Sequence, residues 1–67
     1  MRDWLKDLRT EHGYTMAQMG EKLDISEGYY SYIENGERKK KMDLSLAQKL
    51  ANIFCLSIQQ IVEFEEG

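Results

Sequence analysis

The chain has 67 residues and a formal net charge of −3, from nine lysines and arginines against twelve aspartates and glutamates. With one cysteine it can form no internal disulfide, and a zinc site built from Cys and His is not credible. No apolar run approaches the roughly 20 residues that cross a bilayer and no signal-peptide pattern opens the chain, so a reducing cytoplasm is the expected setting. One domain is the most that this length supports, and its core must be efficient.

The periodicity predicts an all-α fold of five helices. The first is expected over residues 2–12, with Trp4, Leu5 and Leu8 inward and Gly13 as its stop. Thr15 and Gln18 form a capping-box pattern that opens the second helix, Met16 to Leu23, in which Met16, Met19, Gly20 and Leu23 share one face. Asp24 tolerates turn conformations. Ser26 then caps a third helix, Glu27 to Asn35, with Tyr30 and Ile33 buried and Tyr29 half buried; Asn35-Gly36 closes it. A basic loop follows over residues 36–42. The fourth helix has two candidate caps, Asp43 and Ser45, the latter in a second capping-box pattern with Gln48. Its inward face is Leu46, Ala47, Leu50, Ala51 and Phe54. Ser57 with Gln60 opens the fifth helix, carrying Ile58, Ile61 and Val62, and residues 63–67 are expected to fray. The expected common core is Met19, Leu23, Ile25, Tyr30, Ile33, Leu46, Leu50, Phe54, Ile58 and Ile61. There is no strand alternation, internal repeat, linker or low-complexity segment.

Two short helices joined by a turn of three or four residues form a helix-turn-helix unit, here residues 16–35, whose second helix fits the DNA major groove. The chain resembles the lambda-repressor-like (XRE) family of such domains over nearly its whole length. Leu8-Arg9 and Gly13-Tyr14-Thr15 match the family's opening pattern. Glu21-Lys22-Leu23, Ile25-Ser26 and Ser31-Tyr32-Ile33-Glu34-Asn35-Gly36 match its centre, and Phe54-Cys55-Leu56-Ser57 with Ile61 its close. The fragments are weak singly and specific in their order and spacing. The chain departs from the pattern at Met16, where Gln is usual; at Gly20, where Ala is usual; at Asp24 and Cys55, where glycine is usual; and at Glu27, where Arg, Gln or Lys is common.

The resemblance implies a DNA-binding transcriptional regulator that acts on double-stranded operator DNA, commonly as a homodimer on a palindrome. The outward positions of the third helix, Ser26, Glu27, Gly28, Ser31 and Tyr32, are the expected base readers. Glu27 can accept from a cytosine amino group or simply complement the helix dipole. Gly28 can admit close backbone approach, can lie against a thymine methyl, or can serve no function. Phosphate contacts are expected from the second helix's N-terminus at Thr15, Met16 and Gln18. Tyr29, Asn35, Gly36 and the run Arg38, Lys39, Lys40 and Lys41 add to them. That run is the one dense basic stretch, and a local field matters more for binding than net charge. Its bland reading is a solvated loop.

The family pattern also places Arg9 against Glu34 as a structural ion pair, and the surface around Cys55, Leu56 and Gln59 as the dimer contact. Cys55 is otherwise expected to be a buried spacer, and His12 a helix C-terminal residue rather than a catalytic one. No phosphate-binding glycine loop exists, so neither enzyme chemistry nor a cofactor is expected. Two other readings stay open: an interaction module that has kept the fold and lost DNA binding, motivated by Glu27, Met16 and the acidic balance, and the DNA-binding antitoxin of a toxin–antitoxin pair.

Overall fold

Local capping chemistry sets where each helix begins. In a computed structural model, which describes residues 2–36 and 42–67, the helices are α1 (Asp3–Glu11), α2 (Met16–Leu23), α3 (Glu27–Asn35), α4 (Leu44–Ile53) and α5 (Ile58–Glu66). Thr15 and Ser57 each form the expected reciprocal capping box, with Gln18 and Gln60. The Ser26 hydroxyl accepts the Tyr29 N–H at 3.1 Å. Asp43, not Ser45, caps α4, its carboxylate accepting the Leu46 N–H at 3.1 Å. Both offered an oxygen; the chain turns helical at Leu44, which leaves Ser45 inside the first turn.

Three helices end in the same way. After α1 the Tyr14 N–H donates to Arg9 O and the Gly13 N–H to Thr10 O. After α2 the pair is Ile25 to Gly20 and Asp24 to Glu21; after α4 it is Leu56 to Ala51 and Cys55 to Asn52. This crossed pair of bonds is the Schellman motif, which needs one left-handed residue. Gly13, Asp24 and Cys55 fill that place, at φ 72°, 60° and 56°. The next residue in each case, Tyr14, Ile25 or Leu56, is apolar and packs on the core. The one after it, Thr15, Ser26 or Ser57, caps the following helix. Gly-Tyr-Thr, Asp-Ile-Ser and Cys-Leu-Ser are therefore one turn written three times.

The core gathers Leu5, Met19, Leu23, Tyr30, Ile33, Ala47, Leu50, Ala51, Phe54 and Ile61, with Trp4, Leu8, Ile25, Leu46 and Leu56 packed at its edge. α2 packs on α3 and on α4, α4 on α5, and α1 on α3. Among the described residues no strand is present, and no helix is long and apolar enough to cross a membrane.

Four expectations need correction. Ile58 sits at the surface, 36% exposed, because it opens α5 one turn before Ile61, which takes the core position. Cys55 is exposed, because the left-handed backbone carries its side chain away from the core that Leu56 enters. Helix α1 starts after Arg2, which is itself buried. The C-terminal turn does not fray but continues helical to Glu66. It is held by the Phe64 ring stacked on Trp4 (centroids 5.4 Å apart, planes 10° apart) and by Glu65, which accepts from Arg2 Nε and Trp4 Nε1.

A side chain at left-handed φ costs roughly 1–2 kcal/mol relative to glycine's free access. Replacing Cys55 with glycine should therefore raise stability by about 0.5–1 kcal/mol once glycine's greater unfolded-state freedom is subtracted. Gly13→Ala should lower it, although nothing lies within 4 Å of the added Cβ. Urea unfolding of both variants checks the pair of signs; a Cys55→Gly variant less stable than the parent would show that the turn carries no backbone strain.

Candidate nucleic-acid interface

The helix-turn-helix is fixed by one close approach and two arginines. A Cβ on Gly20 would lie 2.9 Å from Ile25 O and 3.2 Å from Glu27 N and Ser26 C. The absence of a side chain there lets α2 press directly on the backbone that starts α3. At the other end of α3, Arg9 donates from Nε to Glu34 Oε2 (2.9 Å) and from Nη2 to Oε1 (3.1 Å), a two-pronged pair. Its third nitrogen donates to Tyr14 O in the turn after α1 (3.0 Å). Glu34 is wholly buried. Hydrogen bonding to Glu34 raises the already high pKa of Arg9, with burial opposing it. The resemblance placed these two residues together, and the structure pairs them.

Arg2 makes the second clamp. Its backbone N–H donates to Glu34 O at 2.7 Å, and its Nη1 donates to Ile33 O. The same guanidinium reaches Glu65 at 2.9 Å. Sequence reasoning left Arg2 as an ordinary first-turn residue. Its partners lie more than 30 positions away, and no local spacing announces them.

These constraints hold α3 with one face outward. Tyr30, Ile33 and Glu34 are inside. Burial, with the Glu34 carboxylate acting in the same direction, pushes the Tyr30 hydroxyl far above its ordinary range, so it stays protonated. That hydroxyl has no hydrogen-bond partner among the described residues. Ser26, Glu27, Gly28 and Tyr32 are exposed, as their expected role requires, and Ser31 is half-buried. Tyr29, expected to be half buried, is 54% exposed and stacks on the 52%-exposed Tyr32, with ring centroids 6.4 Å apart and planes 13° apart. It projects from the solvent side because Tyr30, one residue on, takes the core position.

The residues expected at phosphates split into groups. At the start of α2 the capping box occupies the N–H groups of Thr15 and Gln18. The N–H groups of Met16 and Ala17 have no acceptor within a helix and lie at its positive end. The Met16 side chain itself turns inward against the core. At the end of α3 the Asn35 side chain turns back to Ser31 Oγ at 3.3 Å. Gly36 ends α3 without left-handed backbone; its glycine is explained by space, since a Cβ would run into Tyr32 O. Arg38, Lys39, Lys40 and Lys41 lie outside the described residues. Cys55 and Gln59 are exposed, Leu56 is half-buried, and Ile58 and Val62 extend that patch along α5.

His12 stacks on Tyr14 and meets Phe54 edge-on at 5.0 Å, while Lys22 Nζ sits 4.6 Å over the Tyr14 ring. This cluster covers the α1–α2 turn and gives His12 a packing role.

The architecture is that of a helix-turn-helix protein: a clamped second helix, a turn of fixed register and a polar outer face. A family model described as helix-turn-helix matches residues 5–61, and the chain belongs to that family. A curated relative from Bacillus subtilis (strain 168), described as the uncharacterized HTH-type transcriptional regulator YqaF, is 42% identical over 45 residues. The match takes in 67% of this chain and 59% of the relative, so the chain spans about three-fifths of that protein's length. No solved structure matches.

Removing one partner of a buried ion pair strands the other. Arg9→Ala should cost about 3–5 kcal/mol, because it leaves the Glu34 carboxylate buried without its cation. Arg9→Lys should fall between that variant and the parent, since an ammonium keeps the charge but cannot fork onto both oxygens and Tyr14 O together. Urea unfolding measures both. A loss for Arg9→Ala near the ~0–1 kcal/mol of a surface pair would mean that water reaches Glu34.

Proposed function

We propose that this chain is a sequence-specific DNA-binding transcriptional regulator, with no catalytic activity, that works in the cytoplasm. The carrying observation is the outward face of α3 in a chain that belongs to the helix-turn-helix family. In this reading α3 enters the major groove and presents Ser26, Glu27, Gly28, Ser31 and Tyr32 to base edges. The start of α2, with Thr15, Met16 through its backbone N–H, and Gln18, meets a phosphate on one side. Tyr29, Asn35, Gly36 and the Arg38–Lys41 run meet phosphates on the other and position the protein without reading sequence.

One copy offers little contact area, so binding as a two-fold dimer on palindromic half-sites about one helical turn apart fits the size. The patch of Cys55, Leu56 and Gln59, with exposed Ile58 and Val62 beside it, supports the dimer contact. Sedimentation at saturation should give two protomers per duplex; one protomer per duplex would count against the dimer.

A second reading has an observation of its own. α3 carries no lysine or arginine and does expose Glu27, which suits a protein-interaction module on the same fold. Selection from random duplex DNA at low salt separates the two. A recovered palindrome supports the regulator, and no enrichment supports the interaction module.

The regulator reading divides grip from readout. Lys39→Ala should weaken every duplex alike and reduce the salt slope by about 1 per lost phosphate contact. Glu27→Ala should relax preference at one base pair by ~1–3 kcal/mol while non-specific binding holds or tightens. Titrations against selected and scrambled duplexes at two salt concentrations read both effects. If Glu27→Ala shifts all sequences by one common factor, Glu27 repels DNA and reads nothing.

A further inference from the structure

Arg2 is a buried cation, only 5% exposed. A guanidinium taken out of water needs acceptors for its donors and a charge to balance its own. Glu65 supplies charge: Arg2 Nε donates to its Oε1 at 3.1 Å and to its Oε2 at 2.9 Å. Nη1 of the same guanidinium donates to Ile33 O. The group is rigid and planar, so a carboxylate that fixes Nε also fixes where Nη1 points.

Glu65 has little freedom of its own. It lies in the last turn of α5, its Oε2 also accepts from Trp4 Nε1 at 3.0 Å, and its neighbour Phe64 stacks on the Trp4 ring. α5 in turn packs on α4. A line of contacts therefore runs from α5 through Arg2 to a carbonyl in the last turn of α3. Arg9 holds that turn by the Glu34 side chain, which has bonds to turn about; Arg2 holds it by the backbone itself. Ser31 and Tyr32, two of the expected base readers, immediately precede Ile33. Such side chains read base edges only when the helix that carries them is held within about 10–20° of the productive angle.

We propose that Glu65 is a positioning residue for DNA readout: by orienting the Arg2 guanidinium it sets the angle at which the end of α3 lies in the groove. The inference rests on the reading of α3 as the helix that meets DNA. Glu65 touches neither base nor phosphate in this scheme, and its whole effect on DNA passes through Arg2.

The test uses the full chain with the best duplex from the random selection and a scrambled duplex beside it. The temperature is one at which circular dichroism shows each variant folded. Glu65→Gln removes the charge and keeps an oxygen that can accept from Trp4 Nε1. It should weaken the selected duplex and leave the scrambled one unchanged or slightly tighter. The ratio of the two affinities should fall by about 2–30-fold, the range for residues that act through others. Glu66→Gln removes an equal charge from the exposed neighbour and should leave the ratio as it is. Arg2→Ala should lower the ratio at least as far, and Glu65→Gln added to it should take nothing more.

A merely structural role for Glu65 would lower the folded fraction and move both duplexes by one factor. In the free protein, Glu65→Gln should also shift the carbonyl carbon resonance of Ile33, and Glu66→Gln should not. A Glu65→Gln variant that keeps the full ratio, or that changes both duplexes by one common factor, overturns the proposal while DNA binding stands. An unmoved Ile33 resonance overturns it before any DNA is added. Failure of the wider reading looks different, because then no duplex is enriched for the parent and both ideas fall together.

Discussion

Two arginines from the start of the chain hold the last turn of α3, and the rest of the interface depends on that grip. Arg9 takes the Glu34 side chain and Arg2 takes the Ile33 and Glu34 carbonyls. The carbonyls at a helix C-terminus have no partners within the helix and carry its negative end, so cationic donors suit them. The clamp lies on the opposite end of α3 from the turn at Asp24-Ile25-Ser26. One end fixes where the helix starts, the other fixes its tilt. A reading helix must be held to within small angular limits for its side chains to meet base edges, and a helix of nine residues has little stability of its own to do so.

The three repeated turns explain how so short a chain reaches a defined arrangement without proline or cross-links. Each turn stops one helix, buries one apolar residue and caps the next helix within three positions. Little chain is spent on these three connections. Nature's usual choice for the left-handed place is glycine, and here only Gly13 follows it. Asp24 is a tolerable substitute, since a short polar side chain can adopt that backbone; Cys55 has no such advantage.

Much of this was legible in the sequence because its signals are local. Capping oxygens three residues from their N–H partners and apolar spacing within one helix gave the order and nearly all the helix starts. What escaped was non-local. Nothing near Arg2 or Glu65 foretells a pair 63 positions apart, and without it the last turn looks free to fray. Tyr29 and Cys55 were misjudged for a related reason: apolar character alone suggested burial, while the backbone at each position decided the direction. The basis for Arg9 with Glu34 was family likeness, and no spacing rule would have produced it.

The contact between Trp4 and Phe64 has a spectroscopic consequence. Trp4 is the chain's one tryptophan, and it stacks on α5 at the junction of the two ends rather than inside the core around Leu50. Its indole N–H also donates to Glu65. Intrinsic emission therefore reports the joining of α1 to α5, a contact that closes one of the longest loops among the described residues and carries a high closure entropy. Should the ends part before the helix-turn-helix melts, fluorescence and far-ultraviolet circular dichroism will give different midpoints on the same sample. The chain thus carries a built-in optical probe for the order in which its two halves come undone.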